Sequence, residues 1–429
     1  MSDHAEKNAR PPATAAETSV FDSYDARIDA LPGSSAVRRM RDRLMSELQD
    51  QRLPHRRMEA WHYTDLRTLL KAVPEAFGTG GEAKGVAPLV DGSNVLTVNN
   101  GEASVEGAPE GVSVSRFADR LNDESVVEFL AAQGPEDAVS RINGAFVSDG
   151  LVVDVAPGTV LDAPLEIQAV HSTGQAHTRF PVTIGKGAKG SIVERQCASG
   201  EGAAFTSSIT DLTVGDDAEI DWIILQEQGD ADTHLARVNL RLGANAKLML
   251  YVVNAGGKLV RQEVRAVVEG EGSDFKLRGI NLLGGESHTD VTMVLDHTVP
   301  STTSTEVLRN VVFGKAHGVF QGQIRVAQAA QQTDAQMACN TLLLSDDADF
   351  SAKPELEIFA DDVQCGHGAT VADIDKNHLF YLMSRGIPAA RARGMLVYAF
   401  LAEVVEELDD ERLVPALESV IAEWLRANG

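Results

Sequence analysis

One turn recurs through the middle of this 429-residue chain, and it restricts the fold more than any other feature. Val182-Thr-Ile184-Gly185-Lys-Gly187-Ala188-Lys189-Gly-Ser-Ile192-Val193 is echoed by Leu212-Thr-Val214-Gly215-Asp-Asp-Ala218-Glu219-Ile-Asp-Trp222-Ile223 and by Leu240-Arg-Leu242-Gly243-Ala-Asn-Ala246-Lys247-Leu-Met-Leu250. Val267-Val268-Glu269-Gly270-Glu-Gly-Ser273 is a looser copy. The glycines at 185, 215, 243 and 270 lie 30, 28 and 27 residues apart. A repeat of that length marks a solenoid. Each unit reads strand, glycine turn, strand, with no helical period, and stacked coils of this kind bury alternating Ile, Val and Leu in one long core. Glycine is expected at the corners because it supplies φ > 0 without steric cost. The pattern predicts a β-helix or similar β-solenoid over roughly 146–365. Helical periodicity resumes only after Thr370, which sets the core domain at 146–370. An antiparallel β-sandwich with regular turns is the alternative.

The flanks differ from this core. Met1 to about Thr18 has no signal-peptide apolar run, and its Ala, Pro, Glu and Lys read as a disordered tail, 1–20. Residues 21–145 form a helical and mixed region. Within it, 20–72 is helical, with an apolar repeat around Val37 to Leu48 that Pro54 ends. A short element from Glu59 to Leu70 follows, whose Trp61 and Tyr63 anchor a cap on the core. Gly78-Thr79-Gly80-Gly81 is a loop, without the following Lys-Ser/Thr of a phosphate cradle. Residues 371–429 are a C-terminal helical domain. A helix runs from Asp373-Ile-Asp375 through Ser384, Gly386 fits its C′ position, and Pro388 fits N1 of the next. That next helix carries Leu396, Phe400, Val404 and Leu408 at i+4 spacing, widened by Met395 and Leu401. The last, from about Glu411 to Ala427, carries Leu413, Leu417, Ile421 and Leu425. Such stripes pack on the solenoid, on each other or on a partner.

Charge and motifs exclude several functions. With 38 basic and 63 acidic side chains the formal charge is −25, which disfavours nucleic acid and anionic membrane surfaces. No run of about 18 apolar residues is present to span a bilayer. Cys197, Cys339 and Cys365 are widely spaced and odd in number, so a reducing cytoplasm is expected rather than a disulfide framework. The chain has no G-x-x-x-x-G-K-[ST] loop, no G-x-S-x-G elbow and no H-E-x-x-H helix.

The strongest chemical candidates are Cys365 and His367. In an extended strand, positions i and i+2 share a face. A soft sulfur and a borderline nitrogen side by side suit Fe, Fe–S fragments or Zn. The pair is half a site, because such metals take four ligands. Its structural alternative is a buried thiol and a satisfied imidazole. Arg385 is read as a helix-terminus salt bridge, Cys197 as core filling, and His288, His297 and His317 as surface or satisfied core residues.

The surrounding segment, Asp361-Asp362-Val363-Gln364-Cys365-Gly366-His367-Gly368-Ala369-Thr370, resembles the C-terminal signature of the SufB/SufD family of iron–sulfur assembly scaffolds. So do the following Leu379-Phe380-Tyr381-Leu382, Ser384-Arg385-Gly386-Ile387-Pro388 and Ala399-Phe400-Leu401-Ala402-Glu403-Val404. Glu59-Ala60-Trp61-His62-Tyr63-Thr64 is similar to the E-x-W-x-Y-T segment of the SufD members. Thr333-Asp334-Ala335-Gln336 with Leu342-Leu343-Leu344-Ser345 is a third match. The resemblance implies a right-handed parallel β-helix and a non-catalytic SufD-like subunit. It also implies a SufB-like partner subunit, and a SufC-like ABC-type ATPase docked on C-terminal helices. Tyr381, Arg385, Leu396, Phe400 and Val404 would form or support that docking region. Cys365 and His367 would lie at the partner interface and hold iron or a nascent cluster transiently, with no cofactor stably bound to the isolated chain. Cys339 is a departure. SufB-like members carry a sulfur-accepting cysteine before a similar Leu-Leu segment, and SufD-like members usually lack it. It is read as a buried inert thiol, with a metal role the weaker reading. A SufB-like sulfur acceptor, or a homodimer of the chain alone, is the alternative within the family. A β-helical polysaccharide enzyme is the alternative outside it, although five Tyr and three Trp are few for a sugar groove.

Overall fold

The computed structural model describes residues 12–78, 83–200, 202–408 and 410–428. Helices α1 (Ala15–Arg27), α2 (Ser35–Gln51) and α3 (Leu66–Leu69) lead into β1 (Asn94–Asn99), β2 (Glu102–Ala103), β3 (Val112–Arg116), α4 (Phe117–Asn122) and α5 (Ala138–Phe146). Sixteen strands follow. The even-numbered ones are β4 (Asp149–Val155), β6 (Gly174–Ile184), β8 (Ala204–Val214), β10 (Thr233–Leu242), β12 (Leu259–Val268), β14 (His288–His297), β16 (His317–Val326) and β18 (Asp349–Ile358). Between them run β5 (Leu165–His171), β7 (Lys189–Ala198), β9 (Glu219–Glu227), β11 (Lys247–Asn254), β13 (Asp274–Leu283), β15 (Thr303–Val312), β17 (Asp334–Leu343) and β19 (Gln364–Ala372). Three helices close the chain: α6 (Lys376–Ser384), α7 (Ala389–Val405) and α8 (Leu413–Asn428).

Among β4 to β19, even strands pair with even strands and odd with odd, so two sheets face each other and every coil adds one strand to each. Pairing from β4 to β19 is parallel, for example Arg237↔Glu263 and Glu306↔Met337. Parallel ladders rule out the antiparallel sandwich and establish a β-solenoid of about eight turns. Its inner core is a continuous stack of Ile, Val and Leu from both sheets, including Ile167, Ile192, Trp222, Leu250, Leu277 and Ile324.

The repeated glycines act differently from expectation. Gly185, Gly215, Gly243 and Gly270 do not have positive φ. They are glycines because successive corners touch. A Cβ on Gly270 would lie 2.0 Å from the amide nitrogen of Ala244, and one on Gly185 would lie 2.5 Å from that of Pro157. The left-handed corner position lies two residues further on. It forms a column of Gly158, Gly187, Asp217, Asn245, Gly272, Ser301 and Gln332, with φ between 52° and 74°. Each of their N–H groups donates to a corner carbonyl of the next coil at 2.6–3.1 Å. Gly, Asn and Asp tolerate this conformation best, which gives the repeat its composition.

Helices cover the outer faces. On the even sheet, Trp61, Leu44, Phe117 and Ile142 of the N-terminal region pack against Phe205, Ile209, Leu235 and Leu259. Trp61 is fully buried. The Arg261 guanidinium lies 3.8 Å from its ring centroid, and its Nε1–H donates to the Glu136 carbonyl at 3.0 Å. The anchoring role expected of Trp61 is what the packing displays. On the odd sheet, Val397, Leu401, Val405, Leu413, Leu417 and Ile421 pack against Ile223, Tyr251 and Ile280. The tail expected to residue 20 is shorter: α1 begins at Ala15 behind a Thr14–Glu17 capping box, and residues 1–11 lie outside the described residues. Pro388 is the N-cap of α7 rather than its first helical residue.

The two ends of the solenoid are unlike. At the start, β2 and β3 pair antiparallel with β1 and β4 and finish both sheets. At the other end, β18 and β19 are edge strands, with no further strand beyond either among the described residues.

Candidate functional site

Cys365 and His367 lie on β19, in register with Ala335 and Met337 of the preceding coil. Ala335 and Met337 are buried in the solenoid core. Partners in a parallel ladder share a face, so Cys365 and His367 face the core side of the last coil, at its open end. Cys365 is half-buried and packs on the core; His367 is exposed. Burial raises the thiol pKa of Cys365, and neighbouring carboxylates, Asp334 and Glu306, push the same way. The thiol therefore needs an incoming cation to give up its proton. Among the described residues, no three His, Cys, Asp or Glu side chains converge to hold a metal. The pair remains two donors on an open edge.

Beneath the pair lies a residue that sequence reasoning missed. Glu306 sits under Met337 in the ladder and is fully buried. Neither of its carboxylate oxygens is in hydrogen-bonding geometry with a donor. Ser304, two residues earlier on the same face, sets its hydroxyl against His297 Nε2 at 3.2 Å and leaves the carboxyl only a loose approach. Burial pushes the Glu306 carboxyl up to about 8. Thr303-Ser304-Thr305-Glu306 reads as a polar run, and nothing in it marks Glu306 as inward.

Cys339 shares this inner face but stacks on Ala369, about 13 Å along the strand from the Cys365 position. It is buried, it accepts from Asn310 Nδ2 at 3.3 Å, and burial pushes its thiol up to about 12. Cys197 is likewise buried, with its thiol pushed up to about 12.

The residues proposed for docking separate. Tyr381 and Arg385 are exposed on and just after α6, a helix with no buried residue. Arg385 forms no ion pair among the described residues; its guanidinium lies 5.0 Å from the Tyr381 ring centroid, so the expected salt bridge is a cation–π contact. Leu396 and Phe400 are half-buried, Phe400 beneath Arg309. Val404 is buried, and its carbonyl accepts from the Tyr251 hydroxyl at 2.6 Å. Its side chain is core and is closed to a partner. The face turned inward is Val397, Leu401, Val404, Val405 and Leu408, so only the Val404 and Leu408 end of the i+4 stripe from Leu396 lies on it. Around Tyr381 and the last coil, Ile358, Phe359, Val371, Phe380 and Met383 are exposed apolar side chains.

Sequence reasoning also missed a buried ion network that ties the N-terminal region to the even sheet. Arg237 pairs with Asp137 and Glu263, and Arg261 pairs with Glu263 and Asp290. Thr64, in the E-x-W-x-Y-T segment, hydrogen-bonds to both Asp290 and His288. The expectation for the histidines holds: His288 and His297 are buried and hydrogen-bonded, and His317 faces Asp349.

Residues 167–400 match the family model described as SUF system FeS cluster assembly, SufBD core domain. The chain is 29% identical to the iron–sulfur cluster assembly protein SufD of Escherichia coli, over 84% of this chain and 86% of that one. It is 28% identical to an iron–sulfur cluster assembly SufBD family protein of Synechocystis, with 83% and 84% covered, and 27% identical to the chloroplastic protein ABCI7 of Arabidopsis thaliana, with 91% and 87% covered. No helix among the described residues is long and apolar enough to cross a membrane. The chain belongs to the SufB/SufD family of the SUF iron–sulfur cluster assembly system.

Proposed function

We propose that this chain is the non-catalytic, SufD-like subunit of a SUF scaffold, and that its open solenoid end is where a SufB-like subunit docks. The asymmetry of the ends carries this reading. One end is finished by antiparallel strands, while β18 and β19 leave two rows of unpaired backbone groups beside exposed apolar side chains. Such edges are covered in stable assemblies. A partner strand laid on β19 would bring its own donors to Cys365 and His367. It would complete a four-ligand site that one chain lacks. Iron or a nascent cluster is then cargo held at the interface, and the isolated chain binds it weakly. A SufC-like ATPase would dock on the exposed Tyr381–Arg385 segment and the outer edge of α7 at Leu396 and Phe400, with Val404 supporting the helix from beneath. In this reading the complex works in the cytoplasm.

The test is co-expression with SufB-like and SufC-like subunits, followed by size-exclusion chromatography. A ternary complex that loses the SufB-like subunit when Val371 is changed to Lys supports the reading. If Val371→Lys, and a Pro placed at Thr370, both leave the complex intact, the open end is not the docking surface. A homodimer through the same edge, for the chain alone, would be broken by the same substitutions.

A further inference from the structure

A second site lies far from Cys365, on the outer face of the even sheet. Between that face and the loop 128–133 of the N-terminal region is a cleft of about 420 Å³. Its floor is built by Arg179, Asp211, Asn239, Arg241 and Arg265, side chains from the four successive even strands β6, β8, β10 and β12. Three guanidinium groups gather here in a chain whose formal charge is −25.

Their pairing is incomplete. Arg179 is nine-tenths buried or more and is committed to Asp211 through Nε at 2.8 Å, yet its Nη1 has no hydrogen-bond partner. Arg241 pairs with Glu269 at the exposed rim. Arg265 makes no hydrogen bond and no ion pair among the described residues. The carboxylates nearest to it electrostatically, Glu263 and Asp137, are already held by Arg237 and Arg261. Burial, and then the charge of Arg237, lower the pKa of Arg265 from its ordinary value. A partly desolvated guanidinium without a partner, beside a like charge, is unfavourable in the empty cleft. Its five donors form a fork that matches a two-oxygen anion. The volume is in the range of small-molecule pockets.

We propose that this cleft is an oxyanion-binding site, anchored by Arg265 and flanked by Arg241 and Arg179, that takes the phosphate or carboxylate group of a small molecule. Arg265 grips two oxygens of the anion from the sheet side. Gln133, on the opposite wall, contributes a neutral donor. The site is separate from the open solenoid end: β14, β16 and β18 lie between β12 and that edge.

The test uses the full chain and inorganic phosphate, titrated calorimetrically at constant ionic strength against chloride. Malonate is the carboxylate arm. Saturable binding is expected for at least one of the two, and the preferred anion identifies the group recognised. R265Q should weaken it by about tenfold or more, the loss of one charge-assisted hydrogen bond. R265K should fall between, because it keeps the charge and loses the fork. Thermal melting is the second readout. Without anion, R265Q should melt at or above wild type, since it removes an unpaired charge, and phosphate or malonate should no longer raise its midpoint. Absence of saturable binding for both anions overturns the proposal. So does equal binding by wild type and R265Q, or a lower anion-free midpoint for R265Q, which would make Arg265 a structural partner.

Discussion

Glu306→Gln isolates the electrostatics beneath the Cys365–His367 pair. Burial holds the Glu306 carboxyl at about 8 against an ordinary value of 4.5. The native state therefore keeps a proton that the unfolded chain has already released. Between these values the unfolded state binds fewer protons, so stability falls as pH rises, by about 1.4 kcal/mol per pH unit. The favourable contribution is complete below the unfolded value and is lost as pH climbs through about 8. Across the interval from 4.5 to pH 7 the loss is about 3 kcal/mol, an order-of-magnitude figure. Glutamine has the same shape and does not titrate. Burying its amide with few partners costs about 1–3 kcal/mol, but that cost is the same at every pH. The prediction is a slope: urea unfolding followed by far-ultraviolet circular dichroism should show Glu306→Gln gaining on wild type by about 1.4 kcal/mol per pH unit from pH 5 to 8. Parallel stability curves would refute the reasoning and mean that the carboxyl has a partner or reaches water.

Further outcomes follow from the same packing. Ellman's reagent should modify Cys365 alone in the folded chain, with Cys197 and Cys339 reacting only on unfolding, because burial pushes those two thiols up to about 12; fast modification of all three would contradict it. Trp61→Ala should cost about 3–5 kcal/mol in a denaturant titration, since it empties a buried site and strips Arg261 of its aromatic face. Val404→Asp should destabilise the chain severely, whereas Tyr381→Ala should leave the melting midpoint unchanged and weaken binding of a SufC-like ATPase; equal melting shifts for the two would show that α6 and α7 are packed alike.

The solenoid was legible because its repeat is written twice, in inward Val, Ile and Leu and in the corner residues. The reason given for the corner glycines was wrong at Gly185 and Gly270, where contact between stacked turns, not φ, excludes a side chain. That contact is between residues 26 and 28 apart, so no local rule reveals it. The face of α7 was read only in part, for another reason. Leu396, Val397, Phe400, Leu401, Val404 and Val405 make it apolar around most of its girth, and periodicity cannot choose between two stripes when both are hydrophobic. The odd sheet chooses, through Tyr251 and Ile280. The shared face of Cys365 and His367 was legible because i, i+2 spacing has one meaning in a strand. Glu306, Arg265 and the Arg237–Glu263–Arg261 network escaped because strand alternation in a solenoid assigns residues to inner or outer faces only after the register between coils is known. Charged residues on an outer face look solvated until a helical cap is laid over them.

The central claim, that the open end completes an iron site with a partner, is tested most directly by anaerobic cluster reconstitution on the complex with a SufB-like subunit. Iron and sulfide per complex, with visible absorption, would be compared for wild type, Cys365→Ala and His367→Ala, and for the chain alone. The account predicts a cluster on the wild-type complex, weak iron retention by the isolated chain, and loss of cluster in both variants with the complex still assembled. If both variant complexes hold clusters as wild type does, Cys365 and His367 are structural and the claim is contradicted.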